Sequence, residues 1–156
     1  MLKTERFYTN LAIINTGRPR APYTIDGVHF MNDGQRKEAL AKNCHGLDWR
    51  IDGNTSYNKG SDIEKYRASV KSSKATLVNK KLGTTLNESL DTYFQNVAST
   101  SFWYVTTDGE LVTIYKMDAN TFRTFLEKFA KLNERGYIRI AQETRTMLYW
   151  LNYEAR

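Results

Sequence analysis

The stretch N-K-G-S-D-I-E-K-Y-R-A-S-V-K-S-S-K-A-T-L, Asn58 to Leu77, decides how the chain is read. Asp62 follows a Gly-Ser pair and opens a short apolar step into Ile63. A few residues on, Ala68-Ser69-Val70-Lys71 alternates small or apolar with polar, the period of a half-buried strand. That period sends Ser69 and Lys71 to one face and Ala68 and Val70 to the other. Two short strands meeting near a turn would bring the Asp62 carboxylate and the Lys71 ammonium together on one sheet face. Phosphodiester chemistry uses such a pair: the carboxylate holds a divalent metal, and the cation steadies the attacking hydroxide or the strained phosphate.

The rest of the composition sets bounds on that reading. A chain of 156 residues is long enough for one domain with its own core. With 10 Tyr, 7 Phe and 3 Trp it is not a disordered chain. The single cysteine, Cys44, excludes an intrachain disulfide framework and a cysteine zinc cluster. The first fifteen residues lack an apolar signal core, and no run approaches a membrane span, so the expectation is a soluble, cytoplasmic protein with no membrane partner. The net charge of +6 fits a polyanionic partner, nucleic acid or an anionic membrane, and equally a plain solubilising surface. Much of it falls in or beside the Asn58–Leu77 stretch, on Lys59, Lys65, Arg67, Lys71, Lys74, Lys80 and Lys81.

Along the chain, Thr4 to Asn15 reads as a helix with Phe7, Leu11 and Ile14 on one face, stopped by Gly17. Arg18-Pro19-Arg20-Ala21-Pro22 is an irregular arm, whose arginines can enter a minor groove or clamp phosphates and which serves equally as a plain linker. Tyr23 to Phe30 suggests a short strand. A helix from about Gly34 to Asn43 follows, carrying Glu38 four residues before Lys42. Leu47 to Asp52 alternates as a strand, and Gly53 to Gly60 is a turn-rich loop. Thr85 to Val97 is a helix opened by a Thr85–Glu88 capping box. Ser101–Thr107 and Glu110–Met117 are strands joined at Asp108-Gly109, the strongest hairpin signal in the chain. Asp118 or Asn120 caps a helix with Phe122, Phe125, Leu126 and Phe129 inward. A strand from Tyr137 to Ala141 and a helix from Thr144 to Tyr153 complete it. His29 and His45 lack metal-ligand spacing and read as packing or surface residues.

The order helix, strands, helix, strand from Gly34 to about Met117, with Gly-Ser-Asp at one strand end and Ser-Val-Lys-Ser-Ser in the next, resembles the PD-(D/E)XK, or restriction-endonuclease-like, nuclease superfamily. The resemblance implies an α/β fold: a mixed central sheet flanked by helices, with an αβββαβ core and a C-terminal hairpin and helices. It divides the single domain, residues 1–156, into an N-terminal helix and arm (1–33), a nuclease-like core (34–117) and a C-terminal helix–strand–helix (118–156). It implies Mg²⁺, or Mn²⁺, held by Asp62, with Lys71 positioning the attacking water. The acidic residue two positions before that lysine is replaced by Ser69, which would assist as a hydrogen-bond partner. The missing carboxylate would come from the preceding helix through Glu38, with Glu64 beside Asp62 and Glu88 as runners-up.

The function expected on this resemblance is a Mg²⁺-dependent DNA endonuclease hydrolysing phosphodiester bonds, a homodimer if it cuts both strands. Lys59, Arg67, Ser72, Ser73, Lys74, Lys80, Lys81, Arg18 and Arg20 would contact the phosphates. Two alternatives stand beside it: a catalytically inactive DNA-binding module on the same scaffold, and a phage- or mobile-element-type regulator that binds a protein partner.

Overall fold

The computed structural model describes residues 2–9, 23–25, 28–30, 33–50, 61–141 and 143–155. The fold is α/β. Its centre is a mixed four-stranded sheet built from β1 (Leu2–Tyr8), β4 (Ala68–Lys71), β5 (Ser101–Asp108) and β6 (Leu111–Met117), in the order β1-β6-β5-β4. β5 and β6 pair antiparallel through Asp108 and Gly109, where Gly109 takes a positive φ of 58° that suits glycine. β4 runs parallel to β5, and a parallel neighbour needs a crossover. The helix α2 (Leu86–Asn96) supplies it, with Thr85 accepting from the Glu88 amide as its cap.

Alternation along the strands splits the core in two. Phe102, Tyr104, Tyr115 and Met117 face α2, α3 (Ala119–Phe129) and α4 (Arg145–Glu154), and pack with Leu90, Phe122, Phe125 and Met147. Phe102 stacks on Phe122 with ring centroids 4.5 Å apart. On the opposite face Trp103, Val105, Val112 and Ile114 meet α1 (Asp33–Cys44) through Ala39, Leu40 and Ala41, joined by Ile63 and Ala68. Two smaller antiparallel pairs lie outside the central sheet: β2 (Tyr23–Ile25) with β3 (Val28–Phe30), and β7 (Ala130–Leu132) with β8 (Ile138–Ile140). No described helix is long and apolar enough to cross a membrane.

Three sequence expectations give way. Residues Leu2–Tyr8 form a strand, not the start of a helix over Thr4–Asn15, whose remainder lies outside the described residues except for the start of the loop after β1. The cause is non-local: all seven residues pair with β6, from Leu2 opposite Met117 to Tyr8 opposite Leu111. An ionic contact reinforces the pairing. Glu5 meets the Lys116 ammonium at 2.8 Å, and Lys116 lies 4.2 Å from the centroid of the Trp103 ring and donates to His45 Nε2 at 2.8 Å. Burial alone would raise the Glu5 carboxyl, but the hydrogen bond and charge of Lys116 outweigh it and hold the pKa low. His45 stacks on Trp103 at 4.6 Å and bonds the Ala41 carbonyl through Nδ1, so it is a packed residue joining α1 to the sheet.

The alternating Leu47–Arg50 is not a strand. Gly46, with φ 71°, ends α1, and the Leu47 amide returns to the Lys42 carbonyl. The Arg50 amide bonds the Asp48 carboxylate, a local turn that competes with extension. Leu47 and Trp49 still pack against the α1-side core, so the alternation reports burial without a ladder. Ile51, Asp52 and the loop to Gly60, Lys59 included, lie outside the described residues, as do Arg18 and Arg20.

The strand before β4 shrinks to one bridge, Ile63 opposite Ala68, closed by a 3₁₀ turn at Glu64–Tyr66 and by Arg67 at a left-handed φ of 47°. Conversely β7, between α3 and β8, was not expected. Its turn is held by the Asn133 carbonyl oxygen of the side chain, which accepts from the Arg135 and Tyr137 amides.

The stacked aromatic layer predicts a large local cost. Phe122→Ala should lower stability by about 3–5 kcal/mol in a denaturant titration, the range for emptying a fully buried aromatic site. A loss under about 1 kcal/mol would mean that this layer is not the core.

Candidate active site

β4 is the last strand of the described sheet, and its two faces serve different layers. Ser69 and Lys71 stand opposite Phe102 and Tyr104 in the parallel register, and so share the α2 face. Ala68 and Val70 stand opposite Ser101 and Trp103 and pack toward α1. Asp62 lies on neither face. Its Oδ2 accepts the Val70 amide at 2.8 Å, beside the reciprocal backbone bonds of Ile63 and Ala68. The acid therefore sits at the rim of β4, between the layer that carries Glu38 and the layer that carries Lys71. The expectation of Asp62 and Lys71 on one sheet face is corrected in this respect, and the reason is the tight 3₁₀ turn.

Electrostatics shows what this rim placement brings together. Glu38, on α1, is buried, and its carboxyl pKa is raised, first by burial and then by the Asp62 charge; Lys42, at 3.2 Å, pulls it part of the way back. Lys71 has its ammonium pKa lowered by burial, with Asp62 opposing the shift. Tyr93, on α2, has its phenol raised by burial and again by Asp62. Asp62 is thus the charge that Glu38, Lys71 and Tyr93 all sense. No ion pair within 4.0 Å joins Lys71 to a carboxylate among the described residues.

Compared with protein-family models, with curated proteins and with solved structures, the chain matches none. The site is therefore read on its own geometry.

The other candidate residues separate clearly. Glu64 stands exposed on the 3₁₀ turn rather than on a strand face with Asp62, so the turn removes it from the expected ligand position. Glu88 is taken up by the start of α2, accepting from Thr84 at 2.9 Å and from Thr85 at 3.3 Å. Ser69 is buried on the Lys71 face, and Ser72 is buried where the chain leaves β4. Ser73 bridges the fold: its Oγ accepts the Glu143 amide at 2.7 Å, so it is engaged within the fold. The Arg67 guanidinium donates to the Ala98 carbonyl at 3.2 Å. Lys74, Lys80 and Lys81 are exposed. In the sequence Tyr93 is an ordinary member of the apolar stripe of α2, and nothing there sets it apart.

Whether these groups suit a divalent cation can be judged from the donors. No cluster of three or more His, Cys, Asp or Glu side chains occurs among the described residues. Mg²⁺ does not require one: it commonly takes one or two carboxylates and completes its shell with water and phosphate oxygens. Burial, and then the Asp62 charge, disfavour ionisation of Glu38, which is the situation a cation relieves. Val70 engages Asp62 through Oδ2.

The raised Glu38 pKa has a signed consequence. A carboxyl whose folded pKa exceeds its unfolded pKa contributes stability at acid pH that is lost as pH rises through the folded value. Glu38→Gln, which cannot ionise, should therefore gain stability relative to the wild type as pH rises from the ordinary glutamate range through the raised Glu38 value. Thermal melts without metal, followed by melts with Mg²⁺, would show a gap that opens with pH and narrows when Mg²⁺ stabilises the wild type alone. A gap independent of both would contradict the electrostatic coupling.

Proposed function

We propose that this chain is a Mg²⁺-dependent DNA endonuclease that hydrolyses phosphodiester bonds on a scaffold of the PD-(D/E)XK kind. One observation carries the reading: Glu38, Asp62 and Lys71, from three separate elements, converge electrostatically at the rim of β4. Supporting it are the mixed sheet with helices on both faces and the α2 crossover between parallel β4 and β5. The net charge of +6 suits a polyanion.

In this reading Glu38 and Asp62 would hold Mg²⁺, which when bound supplies Lewis-acid stabilisation of the charge that builds on the phosphate. Lys71, with its pKa lowered, positions the attacking water and faces the developing negative charge. Ser69, on the same strand face, assists as a hydrogen-bond partner. Tyr93 closes the site from α2 and limits water around Lys71. Lys74, Lys80 and Lys81 are exposed cations that follow β4 in the chain and would contact the flanking phosphates. Cutting both strands would call for a second copy of the chain.

A second reading, a DNA-binding module that does not cut, draws on Ser69 standing where the superfamily carries an acid. Incubation of supercoiled plasmid with Mg²⁺ or Mn²⁺ separates the two. The nuclease predicts nicked or linear product, reduced about 100-fold or more by Asp62→Ala and by Lys71→Ala. Cleavage indifferent to both substitutions would defeat the assignment. Salt-sensitive DNA binding with no metal-dependent product would leave the module.

A further inference from the structure

Beside the β4 rim, on the α2 side, the segment Val78–Leu82 stands off the C-terminal half of α2 and leaves a cleft of about 610 Å³. That volume is in the usual range for a small-molecule site, roughly 300–1,000 Å³. Val78, Leu82 and Val97 give it apolar walls, Tyr93 an aromatic one, and Lys80 and Lys81 stand at it as exposed cations. Asn96 also lines it; its Nδ2 donates to the Thr92 carbonyl at 2.8 Å, which leaves Oδ1 as an acceptor for an incoming N–H.

The cleft is held open by its own chain. Leu77 bonds the Ile138 carbonyl at 2.9 Å just before the wall begins. Just after it, Gly83 lies so close to the first turn of α2 that an added Cβ would come within 2.8 Å of Glu88 Cβ and 2.9 Å of the Ser89 amide. Lys81 lays its stem over Gly136, where an added Cβ would meet it at 3.2 Å. Both ends and the middle of the wall are therefore tied to other elements, and the cavity is preformed.

Tyr93 belongs both to this cleft and to the group of residues that sense Asp62. An apolar and aromatic pocket with one acceptor, two cations at its mouth and a shared wall with a carboxylate–lysine site suits one kind of ligand. We propose that the cleft receives a nucleotide of the substrate strand, its base in the apolar interior and its phosphate on Lys80 and Lys81. This inference deepens the nuclease reading and rests on it for its biological sense. The cleft would draw a base next to the cut phosphate out of its stack, and so favour single-stranded, frayed or mismatched DNA over a perfect duplex.

The test uses the full chain without metal, labelled for amide NMR and titrated with dAMP, deoxyribose 5-phosphate and inorganic phosphate. The expected result is dAMP-induced shifts confined to residues 78–82 and 92–98, with binding about tenfold tighter than deoxyribose 5-phosphate, since stacking a base on an aromatic ring accounts for roughly that much. Lys80→Ala with Lys81→Ala should weaken dAMP and phosphate alike. Thr92→Trp, which fills the cleft, should remove dAMP binding alone, with its fold checked by melting. Equal affinity for dAMP and deoxyribose 5-phosphate, or shifts elsewhere on the surface, would overturn the proposal. Because no cleavage is read, the two failures are distinct. Plasmid cutting without dAMP binding removes the cleft, and dAMP binding without cutting removes the nuclease.

Discussion

The hydrogen bond from the Val70 amide to Asp62 Oδ2, at 2.8 Å, is the constraint on which the candidate site depends. A strand at the end of a sheet exposes unpaired amides, and here a carboxylate satisfies one of them. That single contact fixes the acid against β4, one residue from Lys71. It also holds Asp62 level with the sheet, so that its charge reaches Glu38 on one side and Lys71 and Tyr93 on the other. Among the described residues, the Ile63–Ala68 bridge also ties this segment to β4, and Ser61 meets Ser99 in the loop before β5.

The sheet itself exists to present that rim. The parallel pairing of β4 with β5 places Ser69 and Lys71 over Phe102 and Tyr104, in the layer closed by α2. On the other side, α1 presents the small residues Ala39 and Ala41 with Leu40 to Trp103 and Ile114, which lets the helix lie close and bring Glu38 to the rim. Glu38 is thus delivered by a helix of the α1-side core, and Lys71 stands on the sheet face that α2 closes. The energetic consequence is that the charged forms of Glu38 and Lys71 are both disfavoured by burial.

Local signals in the sequence translated well. The capping box of Thr85 and Glu88, the Asp108-Gly109 turn, and the caps at Asp118 and Thr144 each satisfy backbone groups within a few residues, and the corresponding elements form where those signals stand. Non-local pairings did not. Leu2–Tyr8 is a strand because it pairs along its whole length with β6, far away in sequence, and Leu47–Arg50 is not one because Gly46 and Asp48 turn the chain. Of the site, Asp62, Lys71 and Glu38 were legible as residue types at suggestive places. Their arrangement around an edge, and the exclusion of Glu64 and Glu88, were not, because a 3₁₀ turn and a capping box decide them. Tyr93 was hidden by being an ordinary member of a helix stripe.

Direct titration of the Glu38 side-chain carboxyl by carbon-detected NMR is the most searching measurement of this account. Convergence of the acids predicts a pKa above the ordinary glutamate value, a fall toward that value in Asp62→Asn, and a further depression when Mg²⁺ is added to the wild type. A Glu38 that titrates like a free glutamate, unmoved by the substitution or by Mg²⁺, would contradict it.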